Sequence, residues 1–309
     1  GDDAFPLSRS ARNVVITNCV ITTRWAAFRM GPSSTGVFKN IAVSNCVIYN
    51  TYGAGIKLQM VEGGVMEDIV FDNLIMENTT GPISIRLAGY LGWKLERRES
   101  LATGKLRNIL FSNIRASVPE NSAPLPHEVV QMPGELRSCI NITGLPGHPV
   151  EGITFSNVHV TFAGGGTAEE AARRDIPEMA DHYPEYHMFG TLPAYALYVR
   201  HARGLTLNNV RFALEQPDRR PALVCDDVED LELANVGAEG NAESESLVRL
   251  TDVRQAFFHG CRPLSPVGAF VRVEGAGSVG LLMVNNDLRH AARAFDVGDG
   301  ASEDSIEVR

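Results

Sequence analysis

Two adjacent carboxylates, Asp2 and Asp3, stand near the beginning of the sequence. A pair of carboxyl groups can supply the acid and the base that general acid–base catalysis requires. Adjacent residues of a strand point to opposite sides unless the chain bends at them. Taken alone, such a pair is more typical of a surface turn, and Asp226-Asp227 forms a second one.

Basic and polar side chains alternate with apolar ones in a set of short segments. In Ala27-Phe-Arg-Met30 the alternation predicts that Phe28 and Met30 point inward and Arg29 outward. Arginine and lysine bind carboxylates, and tyrosine packs against sugar-like rings. The outward residues that we predict to contact a ligand are Arg29, Lys57, Gln59, Arg86, Tyr198 and Arg200. Arg249 and Arg272 continue the row, and there we predict only a solvated face.

Three further residues are candidate ligand contacts because of their position. Trp25 lies within one repeat of the acidic pair, where its ring could stack on a ligand, and Arg24 precedes it. Glu185 lies in the aromatic-rich segment Tyr183-Pro-Glu-Tyr-His-Met-Phe-Gly190, which we predict to wall a groove. His201 ends a strand and is interpreted as a structural residue.

An internal repeat must position these side chains. Units such as Asn13-Val-Val-Ile-Thr-Asn-Cys19 recur, and the starts at Asn13, Asn40 and Asp68 lie 27 and 28 residues apart. Each unit holds short strand-like stretches separated by Gly, Asn or Pro, and none has a helical pattern. A repeat of this length without helices is typical of one coil of a β-solenoid.

The asparagine at the sixth position of each unit has a physical explanation. Asparagine tolerates the left-handed conformation of a coil corner, and its amide can bond to the asparagine of the next coil. A leucine-rich repeat would need an LxxLxLxxN frame and helical backs, which are not seen. We therefore predict an all-β fold, a single-stranded right-handed parallel β-helix, as one domain over residues 1–309.

Insertions separate an early part of the solenoid from a late part. Long insertions cover residues 89–103, 119–137 and 164–193, whereas the coils after about residue 220 are plain. Insertions in a solenoid become loops on one face, which is often the binding face. In the third, Thr167 and Glu170 predict the capping box of a short helix. We expect function in about residues 1–220 and a scaffold in about 221–309.

Composition excludes several classes of function. The net charge is −9, from 37 acidic and 28 basic residues, which argues against broad binding of nucleic acid or an anionic membrane. No run of about 20 apolar residues predicts a membrane span. The five cysteines, without CxxC spacing, predict small buried residues rather than disulfides or a metal site.

Several segments, in the right order, resemble the polygalacturonase-like glycoside hydrolases of family 28, which have the pectin-lyase-like β-helix fold. The resemblance covers roughly residues 1–240. It is carried by the Asn-Cys coils and by these segments: Gly1-Asp-Asp-Ala4, Gly55-Ile-Lys-Leu-Gln59, Glu62-Gly-Gly-Val-Met-Glu-Asp-Ile69, Gly81-Pro-Ile-Ser-Ile85, Ser138-Cys-Ile-Asn-Ile-Thr-Gly-Leu-Pro-Gly-His148 and Leu192-Pro-Ala-Tyr-Ala-Leu-Tyr-Val-Arg-His201.

The resemblance implies hydrolysis of a glycosidic bond with inversion, using aspartates and no metal or cofactor. An inverting enzyme needs two carboxyl groups about 6.5–9.5 Å apart. By resemblance Asp2 is the acid, and Asp3 shares activation of the water with an aspartate of a preceding coil. That coil would lie upstream of Gly1, so we expect this chain to lack the family's N-terminal coils.

Two departures from the family leave the sugar open. The family's Gly-His-Gly turn is replaced by Thr23-Arg-Trp-Ala-Ala27, and its Arg-Ile-Lys triplet by Lys57-Leu-Gln59. One of two positive charges for a substrate carboxylate is therefore lost, although Arg24 or Arg29 can compensate. A neutral sugar and a differently placed uronate both remain open.

The leading hypothesis is a glycoside hydrolase acting on a pectin-related polysaccharide or oligosaccharide. A uronate lyase or epimerase on the same fold and a non-catalytic glycan-binding β-helix are the alternatives. The expected partner is a carbohydrate, with no nucleic acid and no membrane, and a monomer is expected. The resemblance favours an extracellular or periplasmic location, with the bacterial cytoplasm as the alternative.

Overall fold

The computed structural model describes residues 3–89, 103–120 and 133–309. Asp2 and most of the first two insertions lie outside these residues. One short helix, α1 (Ala168–Ala172), and two 3-10 turns (Pro133–Glu135 and Glu303–Ser305) accompany the strands. The strands are β1 (Phe5–Leu7), β2 (Ala11–Thr17), β3 (Val20–Ile21), β4 (Ala26–Met30), β5 (Val37–Thr51), β6 (Ala54–Met60), β7 (Val65–Thr79), β8 (Ile83–Leu87), β9 (Lys105–Val118), β10 (Ile140–Thr143), β11 (Val150–Phe162), β12 (Leu197–Leu214), β13 (Leu223–Ala234), β14 (Gly237–Ala238), β15 (Val248–Thr251), β16 (Arg254–His259), β17 (Arg262–Pro263), β18 (Val267–Glu274), β19 (Val279–Val284), β20 (Ala291–Val297) and β21 (Ile306–Val308).

The strands wind into a right-handed parallel β-helix, which confirms the predicted fold. Each strand pairs in parallel with the equivalent strand of the next coil, and the coils form three faces. The first face runs β1-β4-β6-β8-β10-β12-β13-β15-β18-β20. The second runs from β2 through β5, β7, β9 and β11 to β21. The third runs from β3 through the ends of the long strands to β14 and β17.

Asparagines in the left-handed conformation turn the chain at the corners. Asn45, Asn73, Asn113 and Asn157 have φ between 51° and 55°. The amide of Asn73 donates to Asn45 at 2.8 Å, and that of Asn157 donates to Asn113 at 2.7 Å. The predicted corner role and the predicted amide ladder are both confirmed. Because asparagine takes this conformation with little strain, the repeated residue fixes where each coil bends.

Inward side chains stack from coil to coil and fill the solenoid. Phe71, Phe111 and Phe155 form a row with ring centroids 5.3 and 5.0 Å apart. Each such ring is fully buried, which contributes about 1.5–3 kcal/mol relative to exposure. The cysteines are free, and all but the half-buried Cys19 are buried, as predicted. Within the described residues no helix is long and apolar enough to cross a membrane.

Candidate active site

The first face carries two outward columns whose register follows the predicted alternation. Arg29 pairs with Lys57, and Lys57 with Ser84. The neighbouring column places Gln59 beside Arg86, and Thr143 then joins Arg86 to Arg200. Because parallel strands lie about 4.8 Å apart, each column brings successive side chains close together.

These columns do not form an open face, and the solvated position predicted for Arg249 is wrong, because its side chain is buried. The third insertion crosses the face and covers it, and we call its residues 171–187 the strap. Lys57, Gln59, Arg86 and Tyr198 are all buried, and Arg200 is mostly covered. The physical reason is that the carbonyl groups of a non-helical segment need donors when they leave water, and the columns provide them.

Three arginines hold the first half of the strap by donating to its backbone. The Arg249 guanidinium donates to the carbonyl oxygens of Ala171 at 2.7 Å and Arg173 at 2.9 Å. Arg200 donates to Ile176 O at 2.5 Å, and Arg86 donates to Glu178 O at 2.6 Å. The strap therefore runs from the late coils back toward the first ones. Burial beneath it lowers the pKa of Arg86 to about 10.

Helix α1 begins the strap and has the predicted capping box. The Thr167 hydroxyl accepts from Glu170 N–H, and the Glu170 carboxylate accepts from Thr167 N–H. The same carboxylate is paired with Arg137 of the second insertion. The cap thus fixes the point at which the strap leaves the coils.

Side chains anchor the other end of the strap. Glu185 forms an ion pair with Lys57 at 2.5 Å, and the Gln59 amide donates to Pro184 O. The Tyr186 ring lies against Gly81, where a Cβ atom would come within 2.6 Å of the ring. Glycine at position 81 is therefore required for this contact. Glu185 was predicted to contact the substrate, but in this structure its carboxylate forms an ion pair with the ammonium group of Lys57.

A charged network beside the strap was not predicted from the sequence. The His201 ring lies between Asp227, 2.7 Å from Nδ1, and Glu178, 3.1 Å from Nε2. Arg200 bridges Glu178 at 2.7 Å and Asp226 at 3.1 Å. The Asp226-Asp227 pair thus binds Arg200 and His201, and these two residues contact Glu178 of the strap. Its one sequence signal is that Arg200-His201 and Asp226-Asp227 are equivalent positions of successive coils.

The two aspartates of this network differ in pKa because their surroundings differ. Burial raises the pKa of Asp226, and the neighbouring Arg200 only partly opposes that effect. Burial also acts on Asp227, but the contacts with His201 and Arg254 outweigh it and lower its pKa. Opposite shifts can mark an acid and a base. Here both carboxylates form ion pairs with coil residues, and two of these, Arg200 and His201, contact the strap.

Beyond the end of the strap lie Asp3, Arg24, Trp25 and Arg29, which we call the head face, and the Asp3 side chain there is only 8% exposed. The Asp3 carboxylate accepts from Ala26 N–H at 3.1 Å and lies 2.8 Å from the Arg29 guanidinium. Arg24 is exposed, and Trp25 is half-buried. Asp2, the predicted acid, lies outside the described residues. Asp3 and Arg29 are thus in direct contact, and Arg24 and Trp25 immediately precede Ala26, which binds Asp3.

The strap ends beside the head face. Tyr186 packs on Ala26 and Ala54, and its hydroxyl donates to Tyr52 O at 3.2 Å. Ala26 is the residue whose N–H binds Asp3. Within the described ranges, no three His, Cys, Asp or Glu side chains are grouped so as to hold a metal ion. The head face thus contains a carboxylate, two arginines and an indole ring, and Tyr186 lies at its border with the strap.

Comparison with known proteins gives one kind of relative. Polygalacturonases of Gossypium barbadense and Gossypium hirsutum are each 34% identical to this chain over 130 residues. The matched segment is 39% of this chain and 31% of each relative, so the chain spans about a third of their length. No family model matches the chain. Over that segment the chain is therefore similar to polygalacturonases, and its fold is a right-handed parallel β-helix.

Proposed function

We propose that this chain is part of a glycoside hydrolase that cleaves a pectin-related polysaccharide or oligosaccharide at the head face. The observation that carries the proposal is the position of Asp3, which lies at the start of the first face and contacts Arg29. Arg29 in turn lies one coil from Lys57. The similarity to polygalacturonases supports the same substrate class. A carboxylate beside exposed cations suits an acidic sugar chain.

The role proposed for Asp3 is to activate water. Its two contacts, with a backbone N–H and a guanidinium, fix the position of the carboxylate. A positioned carboxylate is a group that can accept a proton from water in general base catalysis. Asp2 is therefore the proposed acid, as the family resemblance implies. Hydrolysis by this pair would proceed with inversion, without a metal.

The substrate-binding role is proposed for the open residues Arg24, Trp25 and Arg29. The other predicted contacts now have a different proposed role. Lys57, Gln59, Arg86 and Arg200 bind the strap through their polar groups, Glu185 is part of it, and Tyr198 packs in the same apolar cluster as Ile176 of the strap. A bound sugar chain then has no room along the coils that the strap fills. It must end, or leave the surface, at the border formed by Tyr186.

The test is a product analysis with pectic oligosaccharides, both uronate-rich and neutral, using the full chain and an Asp3→Asn variant. We expect saturated products, with a loss of activity of about 100-fold or more in the variant. Asp68→Asn is the matched control, because asparagine occupies the equivalent corner at Asn40 and Asn108. An unsaturated product that absorbs ultraviolet light would replace hydrolysis by the lyase alternative. Binding without turnover would favour a glycan-binding protein.

A further inference from the structure

The third face carries a ladder of basic residues that the proposed reaction does not use. Arg115, His159, Arg211, Gly237 and Arg262 occupy equivalent positions in successive coils. All three arginines are exposed. With strands about 4.8 Å apart, the ladder from Arg115 to Arg262 is about 19 Å long. We call these residues the third-face ladder.

No carboxylate of the described residues forms an ion pair with the arginines of this ladder, although the charge of Arg262 contributes to lowering the pKa of Asp287. Among the described residues, Arg115, Arg211 and Arg262 have no acidic group within 4.0 Å, the limit for an ion pair. Arg115 donates instead to the backbone and side-chain oxygens of Asn157. Burial, and then the charges of Arg115 and Arg211, lower the pKa of His159. The charges of Arg115 and Arg211 thus disfavour the protonated form of His159, which lies between them.

A column on the second face contains surface arginines that do have carboxylate partners. Arg107 binds Glu67 through two nitrogens at 2.8 and 2.7 Å, and Arg203 lies 3.2 Å from Glu229. There the charges alternate from coil to coil and stabilise the stack. In a protein with net charge −9, a row of arginines without such partners needs another explanation.

The surroundings of the ladder suit a sugar chain. The adjacent outward column holds the small residues Ser117, Thr161 and Ala213, which leave the guanidinium groups room to move. On the other side lies the asparagine corner, whose amides can bond to hydroxyl groups.

Gly237 lies between Arg211 and Arg262 in the column, with the Leu264 side chain against it. Beside it, Arg211 and Arg262 line a depression with a volume of about 260 Å³. Leu264 lines it with apolar surface that a ring face can contact. Two carboxylates also line it, and both are engaged. Glu239 accepts from Leu214 N–H at 2.8 Å, and Arg289 holds Asp287 with contacts at 2.9 and 2.8 Å.

We propose that Arg115, His159, Arg211 and Arg262 form a second binding site, which holds a linear polyuronate chain along the axis of the solenoid. Guanidinium groups bind carboxylates through paired hydrogen bonds, and a polyuronate presents carboxylates at regular intervals. Single-stranded nucleic acid is disfavoured, because its binding relies on aromatic platforms and the ladder has none. The site lies on a different face from Asp3, so it does not depend on the proposed hydrolysis.

The test measures binding of a homogalacturonan oligomer longer than about 19 Å by calorimetry, using the full chain with Asp3→Asn to prevent turnover. We expect Arg211→Ala/Arg262→Ala to weaken binding by about tenfold or more, and added salt to weaken it further. The matched control is Arg203→Ala/Arg254→Ala, which removes two exposed arginines paired with Glu229 and should leave binding unchanged.

The NMR signal of the His159 ring locates the ligand independently of the head face. It should shift on addition of the oligomer and stay unchanged with a neutral galactan of equal length. Equal binding by the two double variants, or an unshifted His159 signal at saturation, would overturn the proposal. A stronger response to single-stranded DNA than to the uronate would overturn it too, in favour of a nucleic-acid site. Because Asp3 is already replaced, none of these outcomes depends on whether the chain hydrolyses pectin.

Discussion

Two rows of arginines point outward from the solenoid, but their burial and their hydrogen-bond partners differ. Arg86, Arg200 and Arg249 project from the first face, and Arg115, Arg211 and Arg262 project from the third. Members of the first row donate to carbonyl oxygens of the strap and are largely covered. Members of the second row are exposed and have no carboxylate partner among the described residues.

The difference comes from a segment outside the repeat. The coils place both rows outward, the first in two adjacent columns and the second in one, but the strap lies only on the first face. A guanidinium that saturates backbone carbonyls away from water is part of the fold, because removing it leaves those carbonyls unsatisfied. An exposed guanidinium without a carboxylate partner is available to an anionic ligand. Residue type and spacing therefore do not separate a structural row from a binding row.

The largest predicted effect is on stability and compares one arginine from each row. Arg249→Ala should lower the free energy of unfolding by about 2–4 kcal/mol, because Ala171 O and Arg173 O lose their donor inside the protein. Arg211→Ala should change it by less than about 0.5 kcal/mol. Urea denaturation of both variants measures the contrast. Equal effects of the two substitutions would contradict the distinction between the rows.

A second prediction concerns the ion pair that anchors the end of the strap. Lys57→Met should cost about 1–3 kcal/mol, since Glu185 then keeps a partly buried charge without its partner. Adding Glu185→Gln in the same chain should restore part of that loss. A double-mutant cycle gives the coupling energy, which we expect to exceed about 1 kcal/mol. Additive effects would mean that the strap does not depend on this pair.

How much of this was predictable depends on whether a residue belongs to the repeat. The corners at Asn45 and Asn73 and the outward register of Lys57 followed from the period of the sequence, since every coil repeats the same choice. The path of the strap did not follow, because it is held largely through backbone carbonyls, which no sequence pattern reveals. Gly81 was visible as part of a resemblance, but its contact with Tyr186 required the coordinates.

The smallest predicted effect compares two histidines, one in each region. The pKa values of His187, the last residue of the strap, and His159, in the third-face ladder, are both lowered. Burial is the main cause for each, but Arg115 and Arg211 contribute at His159. Added salt screens exposed charges, so it should raise the pKa of His159 more than that of His187. NMR titration of the two rings at low and high salt measures the difference, and equal shifts would contradict it.

The same two histidines set a pH dependence of stability. A lowered pKa means that the unfolded chain binds more protons near the ordinary histidine value of 6.5 than the folded chain does. Stability should therefore decrease as the pH falls through that value. His159→Gln should weaken this dependence slightly, as followed by the thermal midpoint. An unchanged slope in this variant would exclude a contribution from His159.

The most direct test of the central claim, hydrolysis at the head face, is the configuration of the newly formed anomeric centre. Proton NMR of the first minutes of a reaction with a pectic oligosaccharide distinguishes inversion from retention and from elimination. We expect the product with inverted configuration from the unmodified chain and from Asp68→Asn, and no product from Asp3→Asn. A retained configuration, an unsaturated product or full activity in Asp3→Asn would contradict it.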